Sequence, residues 1–146
     1  MKALSLTQPW ATAIFRLNKQ IETRAWKTDF RGMIAIHAAK GFPKYAREFA
    51  ETELALGRIP RRLPFGAIIG FVTIFDILKT EDIVQSISAI ERLYGDYSYG
   101  RYAWKMSTVI SIEPIPCKGH LGLWNIPQDI EEKICIVPGV KYKDSL

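Results

Sequence analysis

The segment Lys19-Gln20-Ile21-Glu22-Thr23-Arg24 sets a lysine in a turn, followed by a carboxylate and a guanidinium two positions apart. From Gln20 to Trp26 the residues alternate as a strand with one wet face would, Glu22, Arg24 and Trp26 on one side and Ile21, Thr23 and Ala25 on the other. A partly buried glutamate beside two cations is favoured in its ionised form and accepts a proton from water or from a nucleobase amine. Trp26 adds a flat ring beside those charges, as a stacked base requires. The same spacing also describes a surface salt-bridge ladder, which stabilises little.

Other residues extend the candidate site, each with a duller alternative. His37 falls on the strand face opposite Ile34 and Ile36, either relaying a proton in a cleft or resting as a neutral, hydrogen-bonded ring. Tyr102 and Trp104 alternate in phase, so one face presents two rings to a base unless both pack in the core. Arg101 fits a phosphate or Glu113, and Gln8, at a helix N-terminus, fits a base edge or a simple cap. Arg58, Arg61 and Arg62, with Lys40 and Lys44, make either a phosphate-tracking rim or a solvated basic loop. Trp10 is assigned to the core with Ile14, and His120 receives no role.

The elements that must position these groups follow from periodicity and breakers. Lys2 to Leu6 reads as a strand; Thr7 caps a helix carrying Pro9 in its first turn and Trp10, Ile14 and Leu17 along one stripe. Arg31-Gly32 turns the chain into a strand over Met33 to Ala38, and Tyr45, Phe49 and Leu56 mark a second helix that stops at Gly57. Ala67 to Ile77, nearly all apolar and often β-branched, is the centre of the sheet. A third helix is expected from Thr80 to about Tyr94, then two strands over Arg101 to Ser107 and Val109 to Ile115. A short helix over Asp129 to Cys135 precedes a loose tail after Pro138.

The 146 residues suit one domain, and 48% apolar content supplies a core. A net charge of +5 favours polyanionic partners. The N-terminus lacks the apolar stretch of a signal peptide, and the longest apolar run, Ala67 to Leu78, is too short to cross a bilayer, so a cytoplasmic protein is expected. Cys117 and Cys135 are too few and too far apart for a metal cluster, and reduced thiols are the expectation, although a disulfide stays open. No glycine-rich phosphate loop appears, which disfavours an ATPase, and neither a cofactor nor an obligate protein partner is evident. Strands outnumber helices without strict β-α alternation, giving an α+β class with a mostly antiparallel sheet.

Five stretches taken in order, Ser5 to Ala11, Lys19 to Trp26, Arg31 to Lys40, Gly100 to Trp104 and Glu113 to Trp124, resemble the ASCH family. The resemblance implies a PUA-like β-barrel with flanking helices over residues 1–127, followed by a C-terminal short helix and tail over 128–146. It implies a cleft across one barrel face that binds RNA, DNA or a modified nucleoside. The family signature G-x-K-x-x-E-x-R is met by Lys19, Glu22 and Arg24, while Leu17 holds the glycine position and so alters the helix-to-strand turn. Family members include plain nucleic-acid binders, ribonucleases and a bacterial branch that hydrolyses N4-acetylcytidine with a lysine, a threonine and a glutamate. Here Lys19 matches the lysine, but Glu22 holds the threonine position, and Thr23 is one residue off and expected on the opposite face. The expected function is therefore hydrolysis of an N4-acylated cytidine by Glu22 and a water, with Lys19 steadying the oxyanion and Arg24 completing the charged set. The alternatives are a ribonuclease in the same cleft, using Glu22 or His37, or a non-catalytic RNA or DNA reader.

Overall fold

The computed structural model describes residues 1–140. Its strands are β1 (Lys2–Leu6), β2 (Ile21–Arg24), β3 (Gly32–Ala38), β4 (Ala67–Lys79), β5 (Tyr102–Pro116) and β6 (Leu123–Asn125). The helices are α1 (Trp10–Arg16), α2 (Lys44–Ala55), α3 (Thr80–Ile83), α4 (Ala89–Leu93) and α5 (Gln128–Ile134). The strands form one sheet in the order β2-β5-β4-β3-β1-β6, parallel between β1 and β3 and antiparallel elsewhere. This is the expected α+β architecture with a mostly antiparallel sheet.

Alternation along the strands builds two cores, one on each face. Leu4, Leu6, Ile34, Ile36, Val72, Ile74 and Trp104 meet Ala11 and Ile14 of α1 on one face. On the other, Ala3, Ala35, Ile68 and Phe71 meet Trp124, Ile126 and the α5 residues Ile130 and Ile134. With both faces covered, β4 is the near-continuous apolar strand that its composition requires. The C-terminal helix thus contributes directly to a core. The tail expected after Pro138 falls largely on residues 141–146, outside the described ones, and Val140 still packs against that second core.

Thr7 does not cap the first helix, since α1 starts at Trp10 with Pro9 as its N-cap and no side-chain cap, and two further elements differ from their sequence periodicity. The single helix expected over Thr80 to Tyr94 is two short ones, because Ser88 leaves the helical path and its hydroxyl accepts the Glu91 amide at 3.2 Å, starting a new helix. The two strands expected between Arg101 and Ile115 are one strand, β5, bulged rather than broken. Thr73 faces Ser107 and Phe71 faces Ile110, so β5 holds one residue more than β4 across this interval, and Thr108 takes φ +50° within it.

Candidate functional site

β2 is an edge strand, paired only to β5, with Glu22 opposite Trp104 and Arg24 opposite Tyr102. Its free side opens into a cleft of about 420 Å³ lined by Glu22, Thr23 and Arg24, by Leu6, Thr7 and Trp10 at the start of α1, by Tyr45 of α2, and by the Leu93–Asp96 turn and Arg101. Trp10 belongs to this wall and not to the core: its ring stacks on Phe49 at 5.2 Å and 4°, with Tyr45 tilted beside it at 6.1 Å. Thr23 also reaches the cleft, which strand alternation alone does not predict. The 94–101 loop folds against the edge of β2, and the Asp96 amide donates to Thr23 Oγ1 at 2.9 Å.

Arg101 holds that loop in place. Its Nε donates to the Asp96 carbonyl at 3.1 Å, its guanidinium donates to the Thr23 carbonyl at 3.3 Å, and it pairs with the Asp96 carboxylate at 3.5 Å rather than with Glu113. Arg24 lies 5.6 Å from the centre of the Trp26 ring. Trp26 itself lines no part of the cleft. It crosses Trp104 edge-on at 4.8 Å and 86°, and its carbonyl accepts the Trp104 indole N–H at 3.2 Å.

Beneath the cleft lies a layer of buried polar groups. Glu22 is 7% exposed, and its Oε2 accepts no hydrogen bond from any described residue. Lys19 is 1% exposed, donates to the Ile21 carbonyl and lines no part of the cleft. A second carboxylate, Glu91 of α4, completes the layer: one oxygen accepts the Gln20 amide at 2.6 Å and the other has no partner among the described residues. Burial raises the Glu91 carboxyl above the ordinary range and Glu22 adds to the rise, while the Gln20 amide and Lys19 oppose it. Burial also raises the Tyr97 phenol, with Glu91 and then Glu22 adding to it. Glu91 and Tyr97 are absent from the residues that sequence singles out. The one local signal was the Ser-x-x-Glu pattern from Ser88 to Glu91, which marks a helix start and says nothing of a site.

A profile of the ASCH domain matches residues 4–116. The chain belongs to the ASCH domain family. It is 28% identical over 136 residues to mouse activating signal cointegrator 1, an alignment covering 88% of this chain and 23% of that protein. It is 33% identical over 95 residues to the human protein of the same name, covering 61% and 16%. The chain thus spans less than a quarter of the curated relatives it matches. The ASCH crystal structure from Zymomonas mobilis superposes with a TM-score of 0.58 at 15% identity, covering 92% of both chains, and a single-residue variant of that protein gives 0.56 at 16% over 92% of this chain and 93% of the variant's. At such identities the agreement establishes the PUA-like fold.

The ASCH signature residues can now be located. Leu17, at the glycine position, has ordinary angles of φ −112° and ψ 10°, and the left-handed conformation is taken one residue later by Asn18 at φ +53°. Asparagine tolerates that region better than most side chains, so the turn into β2 survives the departure.

Several residues that sequence placed at the cleft lie elsewhere in this ASCH domain. Trp104 is fully buried in the core, with no free face for a base. Tyr102 packs partly against the same core, with Lys27 5.9 Å from its ring centre. Gln8 is fully buried and spent on structure: its amide donates to Thr12 Oγ1 at 2.7 Å and to the Pro64 carbonyl at 2.9 Å, and its oxygen accepts the Thr12 amide at 2.9 Å. His37 and Lys40 line a different recess. Arg58 pairs with buried Glu53 at 3.2 Å, and exposed Arg61 and Arg62 line no part of the Glu22 cleft.

His37 occupies a closed network. A carbonyl only accepts, so His37 Nε2–H donates to Cys117 O at 2.6 Å; Nδ1 then accepts from Ser5 Oγ at 3.0 Å, and Ser5 Oγ accepts the Trp124 indole N–H at 3.1 Å. Burial lowers the His37 pKa, partly offset by its bond to the Cys117 carbonyl. Both cysteines are free. Among the described residues no group of three His, Cys, Asp or Glu side chains could hold a metal ion, and no helix is long and apolar enough to cross a membrane.

Proposed function

We propose that this ASCH domain binds a nucleobase of RNA, or a modified nucleoside, in the Glu22 cleft and hydrolyses an N4-acylated cytidine there. One observation carries the proposal: a glutamate oxygen, buried and without a hydrogen-bond partner among the described residues, at the wall of a cleft that also holds Arg24, Trp10, Tyr45 and Tyr94. A buried polar atom left unpaired costs about 1–3 kcal/mol, which a ligand donor such as an exocyclic N–H or a water recovers.

In the hydrolytic step Glu22 takes a proton from water, and the resulting hydroxide adds to the acyl carbon. The C–N bond then breaks, the amine leaves with the proton returned by Glu22, and cytidine and a carboxylate are released. Lys19 does not line the cleft, so the cation facing the developing oxyanion is Arg24. Incubating the protein with N4-acetylcytidine and following cytidine by chromatography tests the step. Absence of turnover at stoichiometric enzyme removes it and leaves the binding function.

A non-catalytic reader is the second reading. Lys19, the expected oxyanion partner, is buried and lines no part of the cleft, and this favours recognition without chemistry. A ribonuclease pairing Glu22 with His37 is disfavoured, because His37 lines a separate recess with both nitrogens engaged.

A further inference from the structure

A second recess opens beyond the C-terminal ends of β1 and β3, with a volume of about 930 Å³, more than twice that of the Glu22 cleft. Ser5 and His37 form its floor, Lys40, Phe65 and Gly66 one side, and Cys117 to Leu121 the other. Among the described residues no acidic one lines it, and Lys40 and Lys118 stand exposed on its rim. Its rings are presented: Phe65 is 38% exposed and braced by Phe42 at 5.0 Å, and exposed His120 is held edge-on to Trp124 at 5.3 Å. Leu121, at the tip of the 117–121 loop, is 99% exposed.

The loop carrying these groups is held from beneath. His37 grips the Cys117 carbonyl, and a side-chain carbon built on Gly119 would stand 2.5 Å from the His37 ring and 2.7 Å from Ser5 Oγ. Gly119 is therefore required for the loop to lie flat on that floor. Both openings border the C-terminal end of β1, on opposite sides of the strand: Ser5 lines the recess and Leu6 and Thr7 line the cleft, so a chain of several nucleotides reaches both by passing over the end of β1.

We infer that this recess is a flanking subsite for single-stranded RNA, taking the nucleotides next to the base held by Glu22. Phe65 and His120 supply stacking faces, and Lys40 and Lys118 meet the phosphates between the two openings. The inference rests on the proposed nucleobase site, and it makes the ligand class a strand of several nucleotides rather than a free nucleoside.

The test compares cytidine with a fluorescein-labelled hexaribonucleotide centred on cytidine, using anisotropy together with amide chemical shifts. The hexamer shifts the amides of Gly119 and Leu121 as well as Gly95, while cytidine shifts Gly95 alone. Phe65→Ala and Lys118→Ala, both at exposed positions, each weaken hexamer binding about fivefold to tenfold, as loss of one stacked base or one phosphate contact does. Cytidine affinity stays within about twofold. A hexamer that leaves Gly119 and Leu121 unmoved, or binds the variants as tightly, overturns the subsite. Movement of Gly119 with no response at Gly95 from either ligand instead overturns the Glu22 nucleobase site. An acidic amphipathic peptide that moves the 117–121 amides where the hexamer does not also overturns the subsite.

Discussion

Glu91 accepts the backbone amide of Gln20 at 2.6 Å, tying α4 to the turn that presents Lys19 and Glu22. Its other oxygen is buried without a partner among the described residues. Two carboxylates and one lysine are thus buried along this edge of the sheet, and the protonation of Glu91 is coupled to folding.

Because burial raises the Glu91 carboxyl, the folded state binds a proton more readily than the unfolded chain, whose carboxyl titrates near 4.5. The resulting cost is absent below that pH, grows as pH rises toward the raised value, and is constant above it. Glu91→Gln keeps an acceptor for the Gln20 amide and removes the titration. Its unfolding midpoint is expected to vary less between pH 4.5 and 7 than that of the unaltered protein. Parallel midpoint-against-pH curves for the two proteins refute this.

Lys19→Met removes the cation whose charge acts on Glu91 and leaves the Ile21 carbonyl without that donor. A loss of about 1–3 kcal/mol is expected by urea unfolding, the usual scale when a buried polar group loses its partner. Adding Glu91→Gln to the same chain is expected to restore part of it. A loss below about 1 kcal/mol shows that Lys19 is solvated and the layer does not exist.

His37 has the opposite sign. Its pKa is lowered in the folded state, so the unfolded chain takes up the proton first. Stability is complete above pH 6.5, the unfolded value, and falls as pH drops from there toward the folded one. Ring proton shifts in NMR are expected to report titration below 6.5 and a proton on Nε2. A ring that titrates at or above the ordinary value contradicts the Ser5–His37–Cys117 network.

Trp104→Ala is expected to cost about 3–5 kcal/mol, as for other large core rings. Trp104→Phe is milder and leaves nucleoside affinity unchanged, because this ring has no face toward the cleft. Weakened binding with native stability in the phenylalanine variant returns Trp104 to the site.

Arg24→Ala is expected to reduce the dependence of log affinity on log salt for the hexaribonucleotide by about one. The double variant Arg61→Ala, Arg62→Ala is expected to leave that dependence unchanged, since neither arginine lines the cleft. Equal effects from the two changes indicate a diffuse basic surface instead of a site.

The family, the α+β class, most of the strands and the positions of Glu22 and Arg24 at one opening are legible in the amino-acid order. Alternation and ordered motifs are local or linear properties, and strand periodicity names a residue's face directly. Which face is covered, and by what, is decided only by packing. Trp104 and Trp26 have the spacing of ring platforms, yet each spends itself on the other because β5 lies against β2. Gln8 has the position of a ligand contact, but the Pro64 carbonyl, 56 residues away, claims its amide. Glu91 is 71 residues from the backbone group it holds, a separation across which no periodicity carries information. His37 is neutralised as a relay by Cys117, 80 residues on. Burial and long-range hydrogen bonds depend on chain closure in three dimensions, and these turn a legible charge motif into a candidate site with a buried carboxylate pair.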